Sequence, residues 1–285
     1  MEANKKTILV TGGNAGIGFA LCRQLVADHN CKVYMGARSE ERGNKAIQDI
    51  KAKHPNADIQ LLVIDVSDDK SVADAAECMK GIKLYALVNN AGVGLKTGDG
   101  SEDGLLATNF YGPKRVTDAF VGQVNDRIVN VSSGVASMWH QTKTAETRAL
   151  FTNPATTWEQ LCAEVEKWKM DKGEGPATGV YGLSKAGLNL ITIHAAAAYP
   201  NLKVTALSPG FINTNMTAGF GAKLTPEEGT VSTRKCLFED VISGAYYGSD
   251  GLRGPLTMTR DPGMPEYQGE DETTIERATY NKPKE

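Results

Sequence analysis

Tyr181 and Lys185, in the run Tyr181-Gly182-Leu183-Ser184-Lys185, lie one helical turn apart and so share one face of a helix. A phenol alone is a poor proton donor at neutral pH, with an ordinary pKa of about 10. An ammonium held beside it favours the phenolate and lowers that value. Such a pair can move a proton to or from an alcohol oxygen. The spacing recurs by chance in unrelated chains, so its weight depends on what accompanies it.

A second constellation lies near the N-terminus. Thr7-Ile8-Leu9-Val10 is a short apolar run, read as a buried strand. It leads into Thr11-Gly12-Gly13-Asn14-Ala15-Gly16-Ile17-Gly18 and then a helical stretch, Phe19–Leu25. Strand, glycine-rich turn and helix together aim main-chain N–H groups and a helix N-terminus at a phosphate. Gly12 allows the tight turn, Gly16 the approach of a pyrophosphate, and Gly18 close packing of helix on sheet. The spacing is G-x-x-x-G-x-G rather than G-x-G-x-x-G, and an ordinary flexible loop is the alternative.

These residues need a frame to hold them. Apolar runs recur at 32–36, 59–64, 84–88, 127–131 and 203–207, with helical segments between. Nearly continuous apolar strands suit a parallel sheet covered on both faces, and the alternation implies right-handed βαβ crossovers. The expectation is one α/β domain over 1–285, a doubly wound Rossmann-type parallel sheet, with Pro255–Met258 as a possible short last strand. Two segments interrupt it. Residues 134–180 form a helical insertion before the Tyr181 helix. In it Thr156 and Glu159 fit a capping box, and Trp158, Leu161, Cys162, Val165 and Trp168 recur at helical spacing. That helix should stop before Lys172. Residues 261–285 form a polar tail, expected to be partly disordered.

Composition narrows the partners. The formal net charge is −3 over 285 residues, which gives no basic field for nucleic acid. No apolar run approaches a membrane span. The first six residues lead straight into the first strand, leaving no room for a signal peptide. The five cysteines are scattered and read as reduced thiols of a cytoplasmic protein. No metal-ligand cluster is seen. A serine-hydrolase reading needs a histidine base. Of His29, His54, His140 and His194 only His140 follows a candidate serine, and it reads as an exposed loop residue.

In this order the motifs resemble the short-chain dehydrogenase/reductase family over about residues 7–260. The resemblance rests on the glycine run, Asp65-Val66, Asn89-Asn90-Ala91-Gly92, Asn109, Ser132-Ser133, Tyr181-x-x-x-Lys185 and Ser208-Pro209-Gly210. The insertion, Thr108–Gly112 and Arg115 look like the monomeric carbonyl reductases of that family. The resemblance implies a catalytic set of Asn109, Ser133, Tyr181 and Lys185. Tyr181 would be the acid in reduction and Lys185 would hold the nicotinamide ribose and lower the Tyr181 pKa. Ser133 would hold the substrate oxygen, and Asn109 would hold a relay water. It places Gly12, Asn14, Gly16, Ile17, Gly18, Asn89, Ala91 and Gly92 at the cofactor, with Asp65 and Val66 at the adenine. Pro209, Gly210, Ile212 and Thr214 would border the nicotinamide, with Phe211 near the substrate and 215–224 as a mobile wall.

At the end of the second strand an acidic residue would bind a ribose and repel a 2′-phosphate. Ala37 stands there, followed by Arg38, whose guanidinium suits a phosphate, with Arg42 in reach. The reading is therefore NADP(H). The expected activity is NADPH-dependent reduction of a ketone, aldehyde or quinone. An NAD(P)-dependent dehydrogenase of one secondary alcohol and a non-catalytic dinucleotide sensor remain as alternatives. The partner is a small carbonyl or alcohol. If the Trp158, Leu161, Val165 and Trp168 face covers the Tyr181 helix, the chain should be a monomer.

Overall fold

Eight strands follow in chain order: β1 (Thr7–Val10), β2 (Lys32–Ala37), β3 (Ile59–Val63), β4 (Leu84–Asn89), β5 (Val124–Val131), β6 (Lys203–Leu207), β7 (Tyr246–Tyr247) and β8 (Arg253–Gly254). In this computed structural model, which describes residues 5–94, 96–169, 179–276 and 279–282, they form one sheet. Its order is β3-β2-β1-β4-β5-β6-β7-β8. Pairing is parallel up to β7, and only β8 is antiparallel. The order reverses between β1 and β4, which opens a crevice beyond their C-terminal ends.

The strands are apolar along their length because helices cover both faces. On one face Ile8, Val10, Val33, Met35, Val129 and Leu207 pack under α1 (Gly16–Ala27), α2 (Glu40–Lys53) and, further along the chain, residues 231–238. On the other Leu9, Leu87, Ile128 and Val204 pack under α3 (Asp69–Cys78) and residues of 112–120 and 180–198. Side-chain caps mark the helix starts: Ser39 Oγ accepts from the Arg42 N–H (3.3 Å) and Asp68 Oδ1 from the Ser71 N–H (2.6 Å).

After β4 come α4 (Glu102–Leu106), a π-helical turn (Ala107–Tyr111) and α5 (Gly112–Phe120). Among its described residues the insertion holds three helices rather than the one read from its periodicity: α6 (Val135–Gln141), α7 (Ala145–Thr152) and α8 (Trp158–Lys169). They pack on α9 (Val180–Ala198), which carries Tyr181 and Lys185. Trp139, Phe151, Leu161, Val165, Leu183 and Leu190 form a third core cluster there, with Leu105 and Phe110. The capping box at α8 is one residue later than expected. Thr157 Oγ1 accepts from the Gln160 N–H (3.2 Å) and Gln160 Oε1 from the Thr157 N–H (2.8 Å), while the Thr156 hydroxyl is taken by the Leu150 carbonyl (2.7 Å). Residues 170–178 and the end of the expected helix there lie outside the described residues.

Two further expectations are corrected. Pro255–Met258 is not a strand; the sheet is finished by β7 and β8, each too short for a periodic signal. His140 is not an exposed loop residue but lies in α6 with 0% exposure. In the tail, residues 261–276 and 279–282 are described, with Tyr280 1% exposed and the Asp261 N–H donating to the Tyr280 carbonyl (2.8 Å). α10 (Val231–Phe238) completes the helices.

Candidate active site

The glycine turn closes over the start of α1. Gly12 has φ +63°, and a Cβ there would lie 2.8 Å from the Ala91 Cα. A Cβ at Gly18 would lie 2.3 Å from the Gly12 carbonyl oxygen and 2.5 Å from Asn90 Nδ2, so only glycine lets α1 start here. Ala15 precedes α1 without a side-chain cap, so the first-turn N–H groups of α1 are left to an anion. Thr214 packs against Gly16, 3.3 Å from where its Cβ would stand.

Thr11 and Asn90 tie β1 to β4 below this turn. Thr11 Oγ1 accepts from the N–H groups of Asn90 (3.0 Å) and Ala91 (3.1 Å), and Asn90 Nδ2 donates to the Thr11 carbonyl (2.8 Å). Asn89 points elsewhere. It is 2% exposed, and its Nδ2 donates to Thr117 Oγ1 (3.1 Å) and Asn130 Oδ1 (2.8 Å). Its side chain is part of the packing between β4, β5 and α5, away from the crevice, because successive residues of a strand face opposite sides.

At the end of β2, Arg38 and Arg42 are exposed and neither side chain forms a hydrogen bond or ion pair among the described residues. Asp65 Oδ1 accepts from the Ser67 N–H (2.9 Å) and hydroxyl (2.6 Å), which leaves its other oxygen open. Val66 is 7% exposed and lies in the core facing α3 and α5. The turn after β6 keeps the Ile212 side chain buried at 2%, and the Ile212 carbonyl accepts from the Thr217 hydroxyl.

The four catalytic candidates meet where β4 and β5 end. Lys185 is 5% exposed and its Nζ donates to the Val131 carbonyl (2.9 Å). A Cβ at Gly92 would lie 3.4 Å from Asn109 Oδ1 and 3.7 Å from Lys185 Nζ, which brings all three to one point. The π turn places Asn109 there, fully buried, with its amide spent on Val93: Oδ1 accepts the Val93 N–H and Nδ2 donates to the Val93 carbonyl, both at 2.8 Å. Ser132 Oγ donates to the Lys185 carbonyl (3.2 Å), anchoring α9, while Ser133 Oγ accepts the Val135 N–H (3.2 Å) near the Tyr181 hydroxyl.

The electrostatics differ from the sequence expectation. Burial pushes the Tyr181 phenol above its ordinary value, and a hydrogen bond with Ser133 offsets this only in part. Burial also lowers the Lys185 ammonium to about 8. The ammonium sits 5.9 Å from the centre of the Tyr181 ring. The low polarity that disfavours a phenolate also disfavours the ammonium meant to stabilise it.

The model for short chain dehydrogenases matches residues 6–145. (+)-Neomenthol dehydrogenase of Arabidopsis thaliana is 32% identical, over 86% of this chain and 97% of that one. The chain belongs to the short-chain dehydrogenase/reductase family. Carbonyl reductase (NADPH) 1 of Mus musculus is 30% identical, over 80% of this chain and 89% of its own. Among solved structures, salutaridine reductase from Papaver somniferum superposes with a TM-score of 0.73 at 27% identity, over 85% of this chain and 99% of that chain. As a short-chain oxidoreductase the chain keeps the family's doubly wound sheet.

Two site residues of this short-chain oxidoreductase escaped the sequence reading. Asn90, quoted within its motif but passed over for Asn89, is the one that holds the glycine turn. Met216 sits 4.0 Å from the Tyr181 hydroxyl, its sulfur the acceptor; only its place in the 215–224 wall pointed to it.

Proposed function

We propose that this chain reduces a ketone, aldehyde or quinone with NADPH, using Tyr181 as the proton donor. The observation that carries the reading is the meeting of Tyr181, Ser133, Lys185 and Asn109 beside the crevice. Bound NADPH supplies the hydride. Its phosphates would lie on the uncapped start of α1 and on Arg38, whose free guanidinium suits the 2′-phosphate. The name of the mouse relative agrees with that choice. Ser133 and Tyr181 hold the substrate oxygen, and Tyr181 gives up its proton as negative charge develops there. Lys185 stabilises the phenolate left behind. Because the Asn109 amide is committed to Val93, any relay water falls to the Asn109 main chain, where a π turn disturbs the helical ladder. Phe211 (52% exposed), Phe220 (54%) and Leu224 (39%) stand on the turn and wall with Met216, which favours a substrate with an apolar body.

The same residues also run in the oxidising direction, and the name of the Arabidopsis relative keeps that second reading in view. We further read the chain as a monomer, because α6–α8 already bury the outer face of α9, including Leu183 and Leu190. No helix among the described residues is long and apolar enough to cross a membrane.

The deciding experiment follows NADPH consumption over a carbonyl panel and NADP+ reduction over the matching alcohols. Tyr181→Phe should lower turnover on the order of 10³-fold while NADPH affinity changes by less than about twofold. Unchanged turnover sinks the mechanism. Arg38→Asp should weaken NADPH and spare NADH; equal losses would remove Arg38 from the phosphate. A stable tetramer in light scattering would end the monomer reading.

A further inference from the structure

β5 and β6 end side by side, with Val131 paired to Leu207 and the Ser132 N–H donating to the Leu207 carbonyl (2.7 Å). Beyond that point the two chains separate. One becomes the loop of Ser133; the other becomes the turn Pro209–Thr214. A single buried hydroxyl bridges the gap. Ser208 is 8% exposed, and its Oγ accepts the Gly134 N–H at 3.1 Å and the Gly210 N–H at 3.2 Å. These donors belong to the residue after Ser133 and to the turn assigned to the nicotinamide.

Ser208 is itself fixed from behind. Its own N–H donates to the Tyr247 carbonyl (2.9 Å). With both N–H groups accepted, the hydroxyl proton is free to go to Tyr246, which is 6% exposed on β7. Burial pushes the Tyr246 phenol well above its ordinary value, and a hydrogen bond from Ser208 draws it part of the way back. The two accepted N–H groups fill the acceptor side of the hydroxyl. Both glycine N–H groups would lose this acceptor if the oxygen were removed.

We propose that Ser208 is a positioning residue, whose hydroxyl holds the Ser133 loop in register with the nicotinamide turn and so fixes where Ser133 meets the substrate oxygen. The inference rests on Ser133 holding that oxygen. A small misplacement of such a donor is enough to slow a reaction that depends on alignment.

A double-mutant cycle tests it, with turnover measured at saturating NADPH on the best carbonyl of the panel and NADPH affinity measured by fluorescence titration. Ser133→Ala should lower kcat about a hundredfold. Ser208→Ala should lower it roughly tenfold, with the NADPH dissociation constant changed by less than about twofold. The double variant should stand within about twofold of Ser133→Ala, because a misplaced serine costs nothing once its hydroxyl is gone. Multiplied losses of about a thousandfold, an unaffected Ser208→Ala enzyme, or weakened NADPH binding in step with kcat would each overturn the proposal. Should Ser208→Ala fail to fold, Tyr246→Phe carries the same cycle, with a smaller loss of about threefold that must also vanish beside Ser133→Ala. Wild-type turnover by Ser133→Ala is a separate failure: it removes Ser133 from the reaction.

Discussion

Residues 135–169 and the described part of 255–282 (255–276 and 279–282) are both additions around one sheet, and they are held by opposite means. The first presents Trp139, Phe151, Leu161 and Val165, none more than 1% exposed, to α9. Among its described residues the second buries two large apolar side chains, Met258 and Tyr280. Polar groups do the rest. Arg260 donates to both oxygens of Asp250 (2.9 and 2.8 Å) and to the carbonyls of Met264 (2.6 Å) and Pro265 (2.7 Å). The Glu272 carboxylate accepts the N–H groups of Leu256 (2.8 Å) and Thr257 (2.7 Å). Glu266 accepts the Arg253 N–H (2.9 Å). The two regions touch where Gln141 Nε2 donates to Thr259 Oγ1 (3.0 Å). A segment can thus be ordered without a core of its own, provided carboxylates satisfy the main chain of a neighbour.

The largest effect should come from the apolar side. Trp139→Ala should cost about 3–5 kcal/mol in urea unfolding, since the indole is fully enclosed among Phe151 and Trp168. A loss below about 1 kcal/mol would mean that the insertion is not part of the core. Next, Arg260→Ala should cost roughly 3 kcal/mol, because it leaves the Asp250 carboxylate without its cation and two carbonyls without their donor. Hydrogen exchange should show the loss confined to the tail, with α8 still protected; parallel loosening of both would erase the distinction.

A pH titration separates the two regions further. Burial lowers the His140 imidazole to about 3, with Arg148 adding to the effect. The unfolded chain takes up that proton near the ordinary 6.5, so the stability His140 preserves is complete above 6.5 and is lost as pH falls towards 3. Between pH 7.5 and pH 5 the loss should be about 2 kcal/mol, and His140→Phe should flatten that slope. In the tail, burial raises the Asp250 carboxyl, but Arg260 and the N–H groups of Gly263 and Leu252 outweigh it and hold it below its ordinary value. Its contribution persists until pH drops below the carboxylate range, about 4. Tail exchange that accelerates already at pH 5–6 would contradict this. The smallest effect belongs to Glu272→Gln, about 1 kcal/mol, because the amide oxygen still accepts one N–H; no change in the exchange of Leu256 and Thr257 would mean that the carboxylate does not hold them.

Legibility followed the range of the interactions. The alternation of apolar runs with helices, the glycine turn and the Tyr181–Lys185 spacing are local patterns, so the sequence by itself determined the parallel sheet, the crevice and the pair that lies beside it. It also determined that α8 has a buried stripe, since Leu161 and Val165 recur at helical spacing. It put the α8 cap at Thr156, one residue early, because Thr-x-x-Glu and Thr-x-x-Gln overlap at the same start. What joins residues distant in sequence was decided only by the tertiary structure. The tail's carboxylates meet their main-chain donors 13 to 16 residues away, a separation with no periodic signature. The side of β4 on which Asn89 and Asn90 fall, the burial of His140 and the two N–H groups that Ser208 Oγ accepts depend on which strands end together. The direction of the Tyr181 shift was decided there too, because burial is a property of the packed chain and acts on the phenol and the ammonium at once.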